Sequence, residues 1–412
     1  MKQRPWIFCQ LGAREHYVLP RGFHRMGRLR ALFTEAWVPP GSLASQAPGP
    51  LGRRFADRYA ADLSDARVEA FTAAAIGFEL MGRLRRRRPD GWPEIMRRNA
   101  WFERRVAARM QRTGVLEGAE KPIVFAYSYA ALGILRAARA AGCRTVLGQI
   151  DPAIFEENIV AEASVRHAEL RPDWARAPSA YWDRWREECA IADTIVVNSP
   201  WAREGLVEAG IEATKIAVVP LAYEGTAKST PKTYPERFSR ERPLRVLFLG
   251  SIVIRKGVAE LLEAARRLAD APVEFHFVGR EAIVFPADAA RDPMIIRHGP
   301  ASRGDVVASY ANADLFILPS LSDGFGLTQI EARANRLPVI ASRRCGDVVR
   351  DGVDGLLLDE VSGEAIERAV RGYLDSPRSL AAQSETAEED VDRFSPRVVA
   401  GQLAAAVEDA SR

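Results

Sequence analysis

The stretch LFILPSLSDGFGLTQIEARANRLPVIAS, residues 315–342, decides the fold. Its apolar opening reads as a buried strand ending at Pro319 and Ser320; the loop SDGFG follows, a helix starts near Leu327, and Pro338 opens the next strand. That order describes a parallel α/β sheet, in which ligands bind at the carboxyl ends of the strands. A helix start placed there offers unpaired amides and a positive dipole end to a phosphate. Gly324 and Gly326 let backbone approach the ligand. Glu331 lies about one turn into the helix, and because helical side chains tilt toward the N-terminus its carboxylate can reach back to the same ligand, where it suits a ribose diol. Asp323 faces whatever hangs from the distal phosphate, and a carboxylate accepting two sugar hydroxyls makes a clamp. Either acid alone reads better as a helix cap or an exposed helix residue; the combination points to a site.

Outward from this stretch the same alternation recurs. The second half carries RVLFLG (245–250), VEFHFVG (273–279), MIIRHG (294–299), PVIAS (338–342) and GLLLD (355–359). The first half carries WIFCQ (6–10), PIVFAYS (122–128), RTVLGQI (144–150), TIVVNS (194–199) and IAVVP (216–220). Between them YEGTAKSTPKTYPERFSRERP, 223–243, has the Pro, Ser, Thr and charge of a linker. The expectation is two doubly wound α/β domains, 1–222 and 244–393, with a closing helical segment 394–412.

A second loop supplies cations. After RVLFLG comes SIVIRKG, then the helix VAELLEAARRLAD. Arg255 and Lys256 thus stand before a helix N-terminus at a strand's carboxyl end, where side chains and amides can both meet a diphosphate. Neutralising such a leaving group is the main electrostatic task in transferring a sugar.

Length and composition set the bounds. With 412 residues, 47% hydrophobic and 27% charged, the chain has the size of two globular domains. No stretch approaches the ~18 uncharged apolar residues of a membrane span, and MKQRPWIFCQLGAREH has no signal-peptide core, so a cytoplasmic chain is expected. Cys9, Cys143, Cys189 and Cys345 are far apart and read as buried thiols. The five histidines, His16, His24, His167, His276 and His298, share no ligand spacing, so no metal site and no cofactor are expected. Asp390-Val391-Asp392 follows an acidic run, not a strand, and reads as solvated helix surface. No G-x-S-x-G elbow or G-x-x-x-x-G-K-[ST] loop occurs, which disfavours those hydrolases and P-loop NTPases.

The net charge of +4 hides a division: residues 1–150 hold 26 Lys and Arg against 12 Asp and Glu, a surplus of +14, which leaves −10 for the rest. The segment 93–112 as a helix gathers Ile95, Phe102, Val106 and Met110 on one stripe, with Arg98, Arg105, Arg109 and Arg112 beside them. Together with the run Arg85 to Arg88 it reads either as wet arginines on a packed helix or as a surface for anionic lipid or a phosphorylated acceptor. No nucleic-acid module accompanies the charge, so no nucleic-acid partner is expected.

The chain resembles the family 4 glycosyltransferases of GT-B fold, two Rossmann-like domains facing across a cleft. The resemblance is carried by DTIVVNSPWAREGLVEAGIEATKIAVVPLAYE, LGSIVIRKGVAELLEAARRL, DGFGLTQIEARANRLPVIAS and CGDVVRDGVDGLLLD, in the family's order. It implies a retaining, metal-independent hexosyl transfer, with a UDP or GDP sugar on the second domain and a saccharide or lipid-linked acceptor on the first. By the resemblance Glu331 holds the ribose, Asp323 with Gly324, Phe325, Gly326, Leu327 and Thr328 holds sugar and phosphates, and Lys256 holds the diphosphate, where Arg255 is expected to supply the charge of the family arginine that Ser251 replaces. Gly12, Gly250 and Ser251 follow strands where backbone approaches the donor, and Glu15 and His16 fall on the acceptor side. Three departures stand out: the first signature acid is Asp323 where Glu is usual, Ser251 replaces a frequent arginine, and Gln149, Ile150 and Asp151 occupy the region of a frequent histidine. Residues 298–302 are the expected base pocket. The expected setting is glycan or envelope-polysaccharide synthesis on the inner face of the cytoplasmic membrane. A GT-B phosphorylase, a sugar-nucleotide epimerase and a non-catalytic binder of sugar nucleotides or nucleic acid are the alternatives.

Overall fold

The apolar runs become two parallel sheets in a computed structural model of the chain, which describes residues 4–42, 45, 57–84, 91–225 and 231–409. The first sheet has seven strands: β1 (Trp6–Gln10), β2 (Leu29–Thr34), β3 (Val68–Ala70), β4 (Ile123–Tyr127), β5 (Arg144–Gly148), β6 (Thr194–Val197) and β7 (Ile216–Val218). Their spatial order is β3-β2-β1-β4-β5-β6-β7. The second has six: β8 (Leu244–Leu249), β9 (Val273–Val278), β10 (Ile295–Gly299), β11 (Leu315–Leu318), β12 (Val339–Ser342) and β13 (Gly355–Leu358), in the order β10-β9-β8-β11-β12-β13. Strand order reverses between β1 and β4 and between β8 and β11. In an open parallel sheet those are the switch points that leave a crevice beyond the carboxyl ends. Strands β1 and β4 are buried along their whole length because helices cover both faces, which is why they read as unbroken apolar runs.

Two strands escaped the sequence reading. LRALFT of β2 carries an arginine, and β3 is only VEA, three half-buried residues at the sheet edge. Asp390-Val391-Asp392 is solvated as expected, with both aspartates exposed, but Asp390 has φ 63° and Val391–Phe394 form a short 3-10 turn ending in buried Phe394, so the surface is that of a corner and not of a regular helix.

From that corner the helix Pro396–Asp409 packs on the first domain, burying Val399, Ala400, Leu403 and Val407 in the cluster that holds Trp6, Phe8 and Phe23. Residues 231–243 lie against the second domain. Phe238 is buried in its core, and Arg242 grips Asp314 through two bonds of 2.6 Å. The run Arg85 to Arg88, residues 226–230 and residues 410–412 fall outside the described residues. The helix Trp92–Arg112 buries Phe102, Val106 and Met110 as expected, but two of its arginines are not simply wet: Arg98 meets Glu35 at 3.0 Å and Arg109 meets Glu69 at 3.3 Å. All four cysteines are free and buried. Among the described residues no helix is long and apolar enough to cross a membrane.

Candidate active site in the cleft between the domains

Beyond β11 the chain enters a loop in which Ser320, Ser322 and Asp323 are buried, and the helix Leu327–Ala334 starts after Gly326. Backbone amides of Asp323 and Gly326 are held by the carbonyls of Arg344 and Cys345, each at 2.9 Å. The neighbouring loop after β8 leaves through Gly250 and Ser251, turns at Ile254–Lys256, and reverses at Gly257 with φ 73°. A Cβ on Gly257 would lie 2.0 Å from the Pro319 carbonyl oxygen, so only glycine lets the two loops touch.

That contact brings three expected site residues together in an unexpected way. Lys256 Nζ bonds Asp323 Oδ2, and Arg255 Nη1 lies 3.1 Å from Asp323 Oδ1 and 3.2 Å from the Ser322 carbonyl. Burial pushes the Asp323 carboxyl up, yet Lys256 and Arg255 outweigh it and hold the group below the usual carboxylate range. The two cations expected at a diphosphate and the carboxylate expected at a sugar thus stand paired with one another in this structure. The three neutralise one another, because a buried carboxylate without counterions would be costly.

The Phe325 ring is turned away into a cluster with Ile330, Val348 and Phe394. Glu331 accepts a 2.7 Å bond from the Tyr310 hydroxyl. With Leu327 and Thr328 it lines a cleft of about 1060 Å³ whose opposite wall is Glu15, His16, Arg21 and Arg25 of the first domain. The expected base region 298–302 divides. Ala301 also lines this cleft, whereas His298 and Pro300 line a separate cavity of about 400 Å³ with Arg245 and His276. There His276 and His298 stack and bond at 3.1 Å, a pairing that spacing alone did not indicate. Among the described residues no three His, Cys, Asp or Glu side chains converge as a metal site.

On the first-domain wall the chain leaves β1 through Gly12, φ 92°, and then places Glu15, His16 and Tyr17 at φ 47°, 51° and 59°. Three successive non-glycine residues in the left-handed region cost roughly 1–2 kcal/mol each and persist only where surroundings impose them. The buried Tyr17 ring supplies part of that constraint. The turn carries Glu15 into the cleft, where its Oε2 is closed off from solvent without a hydrogen-bond partner. Burial pushes the Glu15 carboxyl up to about 7, against the opposing pull of Arg14. The side of Gly12 that a Cβ would occupy faces the Arg58 guanidinium, 3.1 Å away, which in turn meets Glu35 at 2.9 Å.

Two acids that sequence reasoning did not select complete the site. Asp151, just beyond β5, accepts from the Tyr129 hydroxyl, from Gln149 Nε2 at 3.0 Å and from the Ala153 amide at 2.9 Å. Gln149 is itself fixed by Trp185 at 3.0 Å, and Ala153 holds a strained φ of 56°. Burial raises the Asp151 carboxyl above its usual range. Glu156 accepts a 2.9 Å bond from Ser322 Oγ, which takes another from Trp201 Nε1 at 3.0 Å, and it stands 3.9 Å from Arg255 Nε. Burial, with Asp151 and Asp323 adding like charge, pushes Glu156 up to about 8 in spite of Arg255. The domains touch here, for a Cβ on Gly324 would lie 2.3 Å from the Ile150 carbonyl oxygen. The Gln149-Ile150-Asp151 departure was a signal for the first acid. Glu156 sits in an ordinary helix, Ile154–Arg166, and gave none.

The comparisons with known proteins agree with this geometry. A family model described as "Glycosyl transferases group 1" matches residues 230–390, the second domain and the segment leading into it. The D-inositol 3-phosphate glycosyltransferase of Corynebacterium kroppenstedtii is 31% identical over 143 residues, 34% of this chain and 30% of that protein. The MMP alpha-(1->4)-mannosyltransferase of Mycolicibacterium hassiacum is 28% identical over 232 residues, 53% of this chain and 54% of that protein. These alignments span about a third to about half of the curated relatives' length. Among solved structures, Anabaena HepE in complex with UDP superposes with TM-score 0.61 at 17% identity over 98% of this chain and 100% of that one. The whole chain thus has the two-domain GT-B fold, and its second domain carries the group 1 glycosyl transferase match.

Proposed function

We propose that the protein is a glycosyltransferase that moves a sugar from a nucleoside-diphosphate donor to a saccharide or lipid-linked acceptor. The observation that carries the reading is Glu331, one turn into a helix at a strand's carboxyl end, lining the interdomain cleft opposite Glu15 and His16. On this reading the donor ribose bonds Glu331, displacing Tyr310, and the diphosphate meets the first amides of the helix Leu327–Ala334. Arg255 and Lys256 swing from Asp323 to the diphosphate, which frees the carboxylate to accept hydroxyls of the donor sugar. Binding thereby arms both partners.

The chemical step breaks the bond from the anomeric carbon to the diphosphate oxygen and forms one to the acceptor oxygen. The leaving phosphate oxygen takes the acceptor's proton, so the new bond forms on the face the diphosphate leaves and configuration is retained. Two cations and helix amides meet the developing charge, which makes a metal unnecessary. Asp151 and Glu15 face this region from the first domain and suit the orientation of acceptor hydroxyls. The reading places the reaction in glycan or cell-envelope polysaccharide synthesis, with donor and acceptor met on the cytoplasmic side. A thermal-shift panel of UDP, GDP, ADP and their common sugars tests it, since a ligand at about 100 times its Kd stabilises by about 2.7 kcal/mol. A shift with one nucleotide and sugar release or transfer from its sugar supports an enzyme; no shift with any sinks the donor site, and a shift without turnover leaves a binding protein.

A further inference from the structure

The helix Thr72–Leu84 presents the wrong face to water. Its sequence, TAAAIGFELMGRL, is apolar nearly all round, and such helices occur buried in a core or against lipid. Here the solvent side bears Leu80, Met81 and Leu84, exposed by 45%, 45% and 78%, while Phe78 turns the other way to meet Trp101 at 5.2 Å. Leu80, Met81 and Leu84 share one face by helical spacing, and contiguous exposed apolar side chains of this kind mark interaction sites more than scattered ones do. Alongside runs the helix Trp92–Arg112, joined through the same Phe78–Trp101 contact and by Arg97 stacked 3.9 Å over Phe78.

The outer side of that second helix forms an open groove of about 550 Å³ between Phe71, Trp101, Arg104, Arg105, Arg109 and Arg112. Arg105 lies 5.3 Å over Trp101 and Arg109 5.9 Å over Phe71. Among the described residues no carboxylate forms an ion pair with Arg104, Arg105 or Arg112, and all three are exposed. An exposed apolar stripe on one helix and arginines without ion pairs on the helix packed against it suit an anionic bilayer, whose interior takes leucine side chains and whose headgroups take guanidinium groups. Duplex nucleic acid would use the arginines and leave the leucines in water.

We infer that the paired helices 72–84 and 92–112 form the face by which the protein docks on an anionic membrane, with Leu80, Met81 and Leu84 entering the acyl boundary. The inner side of the second helix gives this face a use. Ile95, Asn99 and Phe102 line a cavity of about 170 Å³ with Arg14, Tyr129 and Tyr181, next to Asp151. A lipid-linked acceptor held in the bilayer would present its head group on that side, a consequence that rests on the proposed function, whereas the docking surface itself does not.

The test is co-sedimentation of the full chain with phosphatidylcholine vesicles, with and without phosphatidylglycerol, at low salt and at about 1 M salt, where the Debye length falls to about 3 Å. Retention is expected on anionic vesicles alone, and largely lost at high salt. Arg104→Glu/Arg105→Glu should lower partitioning by about tenfold or more. Leu80→Ser/Leu84→Ser, which change exposed side chains only, should lower it several-fold with the melting temperature kept. Equal retention on both vesicle types, no retention on either, wild-type retention by the leucine variant, or displacement from vesicles by a short DNA duplex overturns the inference. The nucleotide thermal shift reads the donor site separately. Vesicle binding without it leaves the docking face standing and overturns the donor reading, and the reverse overturns the docking face.

Discussion

The two walls of the cleft are built differently. On the second domain, Asp323, Gly324, Gly326 and Glu331 come from one strand–loop–helix connection, and Arg255 and Lys256 are brought in by a single glycine contact at Gly257. On the first domain, Glu15 comes from the loop after β1 whereas Asp151 and Glu156 come from the connection after β5, far along the chain, and both connections hold non-glycine residues at positive φ. A nucleoside diphosphate presents the same charge to every enzyme that uses it, and a helix N-terminus with a few cations answers it locally. An acceptor is particular to one protein, and on the proposed reading it meets the first-domain wall, which is assembled by tertiary contacts that keep strained turns in place.

The largest effect expected from breaking this contrast is in the cation pair. Lys256→Ala should lower the single-turnover rate about a hundredfold or more while donor affinity falls far less, because the charge it meets develops during reaction. It also strips a counterion from buried Asp323, so Asp323→Asn added to Lys256→Ala should cost much less than the sum of the two. Additive losses, or wild-type transfer by Lys256→Ala, would reduce the pair to structural surface.

Next comes Glu331→Gln, which removes a charge-assisted bond worth roughly 1.5–3 kcal/mol and should weaken nucleotide binding about ten- to a hundredfold with the fold intact. Isothermal titration with the nucleotide found in the thermal-shift panel measures it, and unchanged affinity refutes the ribose contact. On the opposite wall Asp151→Asn should do the converse. We expect transfer to fall about tenfold with nucleotide affinity unchanged, the loss residing in acceptor KM and turnover. A loss of nucleotide affinity equal to that in Glu331→Gln would erase the distinction between the walls.

The smallest effect is a pH dependence where the walls meet. Glu156, held up to about 8, is neutral near pH 7; above pH 8 it ionises beside Arg255 and competes with the diphosphate for that guanidinium. Nucleotide affinity should therefore decline a few-fold as pH rises through about 8, and Glu156→Gln should flatten the profile. The stability effect has a matching sign. A carboxyl raised in the folded state makes stability fall as pH climbs from its unfolded value of about 4.5 to its folded value of about 8, and the Gln variant should lose that slope. A decline that persists in Glu156→Gln assigns the titration elsewhere.

The second-domain half of the candidate site was legible in sequence because it obeys local rules. An unbroken apolar run, a glycine loop and a helical period within 315–342 specify a strand end and a helix start, and Asp323 and Glu331 follow from their offsets. Eleven of the strands were readable for the same reason, whereas β3 at the sheet edge is three half-buried residues and β2, one strand further in, has only Ala31 to Phe33 as an unbroken apolar run.

What only the tertiary structure decided is everything that depends on which distant groups share a volume. It set the closed Arg255–Lys256–Asp323 cluster, the raised carboxyl of Glu156, the network around Asp151, and the left-handed turn at Glu15 to Tyr17. Side-chain periodicity reports which face of an element is buried, and charge counts report a surplus. Neither reports the partner, because electrostatic and hydrogen-bond energies depend on separations of a few ångströms that chain order does not encode. The helix Thr72–Leu84 shows the same division: its apolar composition does not say whether Leu80, Met81 and Leu84 are buried, and the fold leaves them exposed.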